Sequence, residues 1–180
     1  SAGGLRDACV LDMRPLEQSL RFACSGAALR RFAAQLERQL PPEHGTVLLG
    51  SGDFHHLSLP LIERTVQRHA PLQVVVLDNH PDNMRFAFGV HCGSWVQRVA
   101  DLPGVAHVHV LGITSGDIGL RHAWENRLRP LYAGRLTYWS CGVDTRWASW
   151  LGLGPAFRAF GCMAELLHEF TAAIAASAQP

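Results

Sequence analysis

The segment Leu72-Gln73-Val74-Val75-Val76-Leu77-Asp78-Asn79-His80-Pro81-Asp82 decides how this chain is read. Its first six residues are almost continuously apolar, the pattern of a strand covered on both faces in a parallel sheet. The next five switch abruptly to carboxylates, an amide and an imidazole. In open α/β sheets ligands collect outside the carboxyl ends of the strands, so a polar cluster at such an end marks a candidate site. Asp78 and His80 are two apart and share one face of an extended strand end. Asp82 would stand about 13 Å from Asp78 if the strand ran on. Pro81 instead favours a turn that returns the second carboxylate beside the first. Holding two carboxylates and an imidazole together in a partly dry place is unfavourable, and a divalent cation offsets that cost.

Outward from this segment, short apolar runs alternate with helical patterns, which argues for βαβ units. Further strands are expected near Ala8–Leu11, Thr46–Gly50, Ala106–Ile113 and Leu136–Cys141. Ser25 can cap a helix whose stripe is Leu29, Phe32, Leu36 and Leu40, ended by Pro41-Pro42. Others start near Ser58, with Pro60 in the first turn, and after Ser94. A last one carries Met163, Leu166, Leu167, Phe170 and Ile174 at helical spacing. The expected architecture is one α/β domain over residues 1–180, three-layered, with a mainly parallel sheet. A crossover helix normally returns the chain to another parallel strand. Because Ala178-Gln179-Pro180 follow the last helix instead, the expectation is of an absent C-terminal strand, an exposed sheet edge and a tendency to associate through it.

The chain has 180 residues, 48% of them hydrophobic and 17% charged, with a formal net charge of +1. That suits a single domain with a real core, and offers no positive field for nucleic acid or a membrane surface. All 16 basic residues are Arg, which excludes Schiff-base lysine chemistry and a P-loop lysine. Five widely spaced cysteines without a CxxC pair read as reduced thiols of a cytoplasmic protein. No apolar run reaches the length of a membrane span. The opening Ser1-Ala2-Gly3-Gly4 has no initiator Met or signal-like stretch and reads as a processed end.

A second polar cluster, Ser51-Gly52-Asp53-Phe54-His55-His56, follows the expected strand Thr46–Gly50. Either His55 or His56 can complete a four-ligand set with Asp78, His80 and Asp82. Competing constellations are weaker. His107 and His109 share a strand face but sit near the start of their strand, far from Asp78, and read as a polar patch under the sheet. Asp12 would suit a haloacid dehalogenase-type phosphatase, but Arg14 occupies the position of the second Asp. Asp117 reads equally as a helix cap. His91 and Cys92 are adjacent and point oppositely on extended backbone, which argues against a thiol dyad. The five tryptophans read as core or partner surface. A calcineurin-like phosphoesterase also opens on Asp-x-His, but its Gly-Asn-His segment is absent here.

In order along the chain, Gly50-Ser-Gly-Asp-Phe-His-His56, Asp78-Asn-His80-Pro-Asp82 and Gly89-Val-His91-Cys-Gly93 resemble the arginase family of ureohydrolases. The resemblance covers residues 46 to 93 with motifs. It implies a three-layer α/β fold and a binuclear Mn²⁺ site that hydrolyses a C–N bond of guanidino or amide type in a small molecule. Carried over, Asp78 matches the carboxylate bridging both metals, Asp82 a ligand of one, His80 a ligand of the other and His55 the fourth ligand. His91 matches the active-site histidine. The family's later Asp-x-Asp has no clear match, because Gly142 stands at its first position before Asp144. Met84 stands where the family has a substrate-contacting Asn, beside Asn83. The resemblance therefore implies up to two Mn²⁺ ions, or fewer if a strand is absent. The alternatives are an inactive arginase-like binding domain or, as the runner-up enzyme, a calcineurin-like metallophosphoesterase.

Overall fold

The structure, a computed structural model, describes residues 8–177, so the first seven residues and the last three lie outside it. Its strands are β1 (Ala23–Cys24), β2 (Leu72–Leu77), β3 (Val90–His91), β4 (Val105–Ile113), β5 (Leu136–Cys141) and β6 (Phe157–Phe160). The helices are α1 (Glu17–Leu20), α2 (Gly26–Gln39), α3 (Ser58–His69), α4 (Val96–Ala100), α5 (Arg129–Tyr132), α6 (Trp147–Trp150) and α7 (Met163–Ser177). Strands β2, β4, β5 and β6 form a parallel sheet in that order, and β1 pairs with β3 antiparallel. The protein is thus mixed α/β with a parallel four-stranded sheet, as the strand–helix alternation requires.

Alternation along the strands divides the core. Val108, Val110, Leu136 and Tyr138 belong to the larger cluster with Phe32, Leu36, Leu59, Val96 and Val99 of the helices before β4. On the opposite face Leu111 and Trp139 pack with Leu166, Phe160 and Phe170, so α7 closes that side. Helix α2 begins as its sequence dictates, with the Ser25 hydroxyl accepting the Ala28 N–H at 3.2 Å. Its far end is closed from outside: the buried Arg64 guanidinium of α3 donates to the carbonyls of Leu36 and Leu40 at 3.0 and 2.7 Å. That places a cation on the negative end of the α2 dipole and gives the Leu40 carbonyl a partner, while the Leu36 carbonyl also accepts the Leu40 N–H at 2.8 Å.

Two expected strands do not form. Ala8–Leu11 and Thr46–Gly50 are irregular, with Val10 and Leu48 largely exposed. Together with Phe32, Leu36, Phe54 and Leu57 they line a cavity of about 890 Å³. An apolar run becomes a strand only when a neighbour completes its hydrogen bonds, and neither segment has one among the described residues. The reading of β2 as covered on both faces also needs correction. Val74 and Val76 pack into the main core, but Val75 and Leu77 face outward and β2 is an edge strand among the described residues. Helix α7 packs on β5 and β6 and meets β2 at Gln73, whose Nε2 donates to the Ser177 hydroxyl at 3.1 Å, leaving Val75 and Leu77 exposed. β6 is not among the expected strands: it has four residues, beginning two after Pro155, too few to show a period.

One glycine holds the β1–β3 pair together. Gly89 has φ +139°, and a Cβ there would lie 2.0 Å from the Cys24 carbonyl oxygen. We expect Gly89→Ala to destabilise the protein by roughly 2–4 kcal/mol, from backbone strain plus a forced separation of β1 and β3. Chemical denaturation measures it, and a loss below 1 kcal/mol would show that this contact relaxes freely. No helix among the described residues is long and apolar enough to cross a membrane.

Candidate metal centre

Asp78 is the first residue beyond β2, its N–H still on the ladder to the Leu111 carbonyl at 3.0 Å. The chain then turns as the sequence suggests. The Asp78 Oδ1 accepts the His80 N–H at 2.9 Å, and the Asn79 carbonyl accepts the N–H groups of Thr114 and Ser115 beyond β4. After Pro81, Asp82 takes φ +46°, a left-handed conformation unusual for a residue with a side chain. It is held there from several sides. The Asp82 carbonyl accepts the Val96 N–H, the Met84 N–H donates to the Gly93 carbonyl, and Asn83 Nδ2 donates to the Arg127 carbonyl and the Tyr138 hydroxyl. A non-glycine residue fixed at positive φ by this much surrounding structure is a common mark of a functional site.

His55 arrives from a 3₁₀ turn over Gly52–Leu57, anchored by Asp53, whose carboxylate takes the Arg21 Nε–H at 2.9 Å and whose carbonyl takes the Phe22 N–H. Its two ring nitrogens face the two carboxylates. Nδ1 lies 3.4 Å from Asp78 Oδ2 and Nε2 lies 3.3 Å from Asp82 Oδ2. One ligand atom from each of His55, Asp78 and Asp82 falls within 4.8 Å of the others. His80 stands beside this group: its Nδ1 is 3.4 Å from Asp78 Oδ1 and its side chain is half exposed. His56, the rival to His55, is completely buried and does not join the group. Successive residues of the tight turn diverge, and the apolar surroundings take His56.

The electrostatics fit a cation. Burial pushes the Asp82 carboxyl up to about 7, helped by the neighbouring Asp78 and Asp117 carboxylates. The Trp95 indole N–H, 2.9 Å from Asp82 Oδ2, opposes that rise by favouring the ionised form. A buried carboxylate reluctant to ionise beside a second carboxylate is the arrangement that a divalent ion stabilises. One imidazole and two carboxylates suit Mn²⁺, Fe²⁺ or Zn²⁺.

The other residues singled out in the sequence fall into place around or away from this group. His91 ends β3. Its Nδ1 accepts the Gly93 N–H at 3.0 Å, which assigns the proton of the neutral ring to Nε2, and burial lowers its basicity. Its segment touches the Asp82 loop through Gly93 and Val96. Asn83 is fully buried, with its Nδ2 engaged in structural bonds and its Oδ1 without a hydrogen-bond partner among the described residues. Asp117 accepts the Ser115 hydroxyl and influences Asp82 electrostatically. Asp144 is exposed and paired with Arg146 at 2.7 Å, and Gly142 turns at φ +69°. His107 and His109 are engaged under the sheet, with Thr137 and with Gln73 and Trp139. Trp95 is the site residue that motif reading passed over, and its only sequence signal is an aromatic donor four residues after His91.

Fold and site together define a mixed α/β protein with a His–Asp–Asp candidate metal centre at the carboxyl end of its edge strand. No family model matches the chain, and no solved structure matches it. A Thermotoga maritima protein described as an uncharacterized protein is 36% identical over 78 residues. The match spans 43% of this chain and 31% of that relative's length.

Proposed function

We propose that the chain carries the metal centre of an arginase-like hydrolase that cleaves a C–N bond in a small guanidino or amide compound, with Mn²⁺ as the ion. The observation that carries this reading is the meeting of His55, Asp78 and Asp82 within 4.8 Å from two of the three ordered motifs, with the His91 segment bonded to the Asp82 loop. A bound Mn²⁺ would supply a water acidified toward neutrality and hence a nucleophile near pH 7. The protein's own groups do the rest. Asp78 and Asp82 bring negative charge to balance the ion, and the half-exposed His80 adds an imidazole on the Asp78 side. His91, neutral with its proton on Nε2, is equipped to donate a hydrogen bond to the substrate.

A second reading, a metal-binding domain without turnover, is favoured by one observation: Asp144 is tied to Arg146 on the surface and Gly142 offers no side chain, so β5 adds no carboxylate pair. The test is elemental analysis after dialysis against Mn²⁺, followed by assay of the loaded protein on guanidino and amide compounds for release of urea or ammonia. We expect bound Mn²⁺ and product release. Metal without release across the panel supports the binding domain, and absence of metal rejects both readings.

A further inference from the structure

The three motif segments could have been brought together by packing alone, but one side chain touches two of them and lies two residues past the end of the third. Trp95 sits four residues after His91, at the start of α4, and is almost fully buried. Its indole Nε1–H donates to Asp82 Oδ2 at 2.9 Å. Its ring lies against that of His55, with centroids 6.0 Å apart and planes at 54°. An indole N–H is a donor only, so Trp95 can hold a carboxylate without competing for a cation.

We propose that Trp95 is a positioning residue of the metal centre: it orients the Asp82 carboxylate through its indole N–H and sets the His55 ring by contact. This rests on the metal reading above. Partners that orient metal ligands contribute to affinity nearly as strongly as some ligands, because a freely rotating carboxylate loses entropy on binding. The flanking backbone is already fixed by the Asp82 carbonyl to Val96 bond, so the indole bond controls the remaining freedom, that of the carboxylate itself.

The deciding experiment is calorimetric titration of Mn²⁺ into the wild type, Trp95→Phe and Trp147→Phe. Phe keeps an aromatic ring and removes the N–H. Trp147 is a control of the same kind, since its buried N–H donates to the Ile118 carbonyl at 3.0 Å in the core. We expect Trp95→Phe to weaken Mn²⁺ binding about 10–100-fold, and Trp147→Phe to lower the melting temperature while leaving the affinity unchanged. An affinity of Trp95→Phe within threefold of wild type, or an equal loss in Trp147→Phe, overturns the role of Trp95 and leaves the centre standing. Absence of Mn²⁺ binding by the wild type overturns the centre and the role together. A measurement on the wild type keeps the question open to refutation if Trp95→Phe does not fold. With Zn²⁺ bound, the Trp95 indole proton should resist solvent exchange. Exchange as fast as that of the exposed Trp124 and Trp150 would show that the bond is not kept in the loaded state.

Discussion

Replacing Asp78 by Ala should lower Mn²⁺ affinity at least 100-fold and abolish any turnover, with little loss of metal-free stability. The reason is its central place. One carboxylate oxygen faces His55 Nδ1 and the other faces His80 Nδ1, each at 3.4 Å, while Asp82 Oδ2 faces the far nitrogen of His55 at 3.3 Å. Removing Asp78 leaves the His55 and His80 rings and one buried carboxylate that resists ionisation near pH 7, too little negative charge to hold a divalent ion. Folding should not suffer, because Asp78 is a like-charge neighbour of Asp82 and its backbone ladder bond survives the substitution. Calorimetric titration of Mn²⁺ and a denaturant melt of the metal-free protein check the two halves. An Asp78→Ala protein that binds Mn²⁺ as the wild type does would take Asp78 out of the centre.

Acid should unfold this protein, and two buried histidines away from bulk solvent should account for much of it. Burial lowers His56 to about 4, with the charge of His55 second, and lowers His109 to about 4, with the charge of His107 second. Their depressed values mean that the unfolded chain binds protons first. The stability they contribute is present above about pH 6.5 and is lost as pH falls toward 4. The shift corresponds to at most about 3 kcal/mol for each ring, and on the order of 1–2 kcal/mol after allowance for residual solvation. The geometry agrees for His109. Its Nδ1 accepts the Trp139 indole N–H at 3.2 Å, so protonation there would set two hydrogens against each other. Its partners among the described residues are His107 of its own strand, Gln73 of β2, Trp139 of β5 and Phe170 of α7, and Arg158 of β6 lies over Trp139.

Asp82 acts with the opposite sign. Its raised value makes the folded protein bind the proton first, so its contribution is present at low pH and lost as pH rises through about 7. The measurement is therefore a difference. His109→Gln, compared with wild type in denaturant melts at pH 7.5 and 4.5, should lose less stability on acidification. Identical losses would show that His109 is not a source of the acid sensitivity.

Much of the frame could be read directly from residues. The β-rich runs at 72–77, 106–113 and 136–141 became β2, β4 and β5, and the helices at Ser25, Ser58 and Met163 formed where caps and periods placed them. These features are local: a cap, a stripe or an apolar run is written in a few consecutive residues. The polar switch after Leu77 marked Asp78, His80 and Asp82 for the same reason, and Pro81 announced the turn that brings Asp82 back.

What tertiary structure decided was every question of partnership. Ala8–Leu11 and Thr46–Gly50 have strand-like sequences, yet a strand is a relation between segments and neither gained a pairing neighbour. Val75 and Leu77 are as apolar as Val74 and Val76, and only the reach of α7 leaves one pair outside. His55 and His56 cannot be ranked from sequence, because adjacent identical side chains diverge only once a 3₁₀ turn and a core exist around them. Trp95 likewise reads as a core aromatic until Asp82, thirteen residues earlier, folds back against its N–H. Local propensity is encoded by neighbours in the chain, whereas hydrogen-bond partners and metal-ligand geometry depend on residues that only the packed chain brings together.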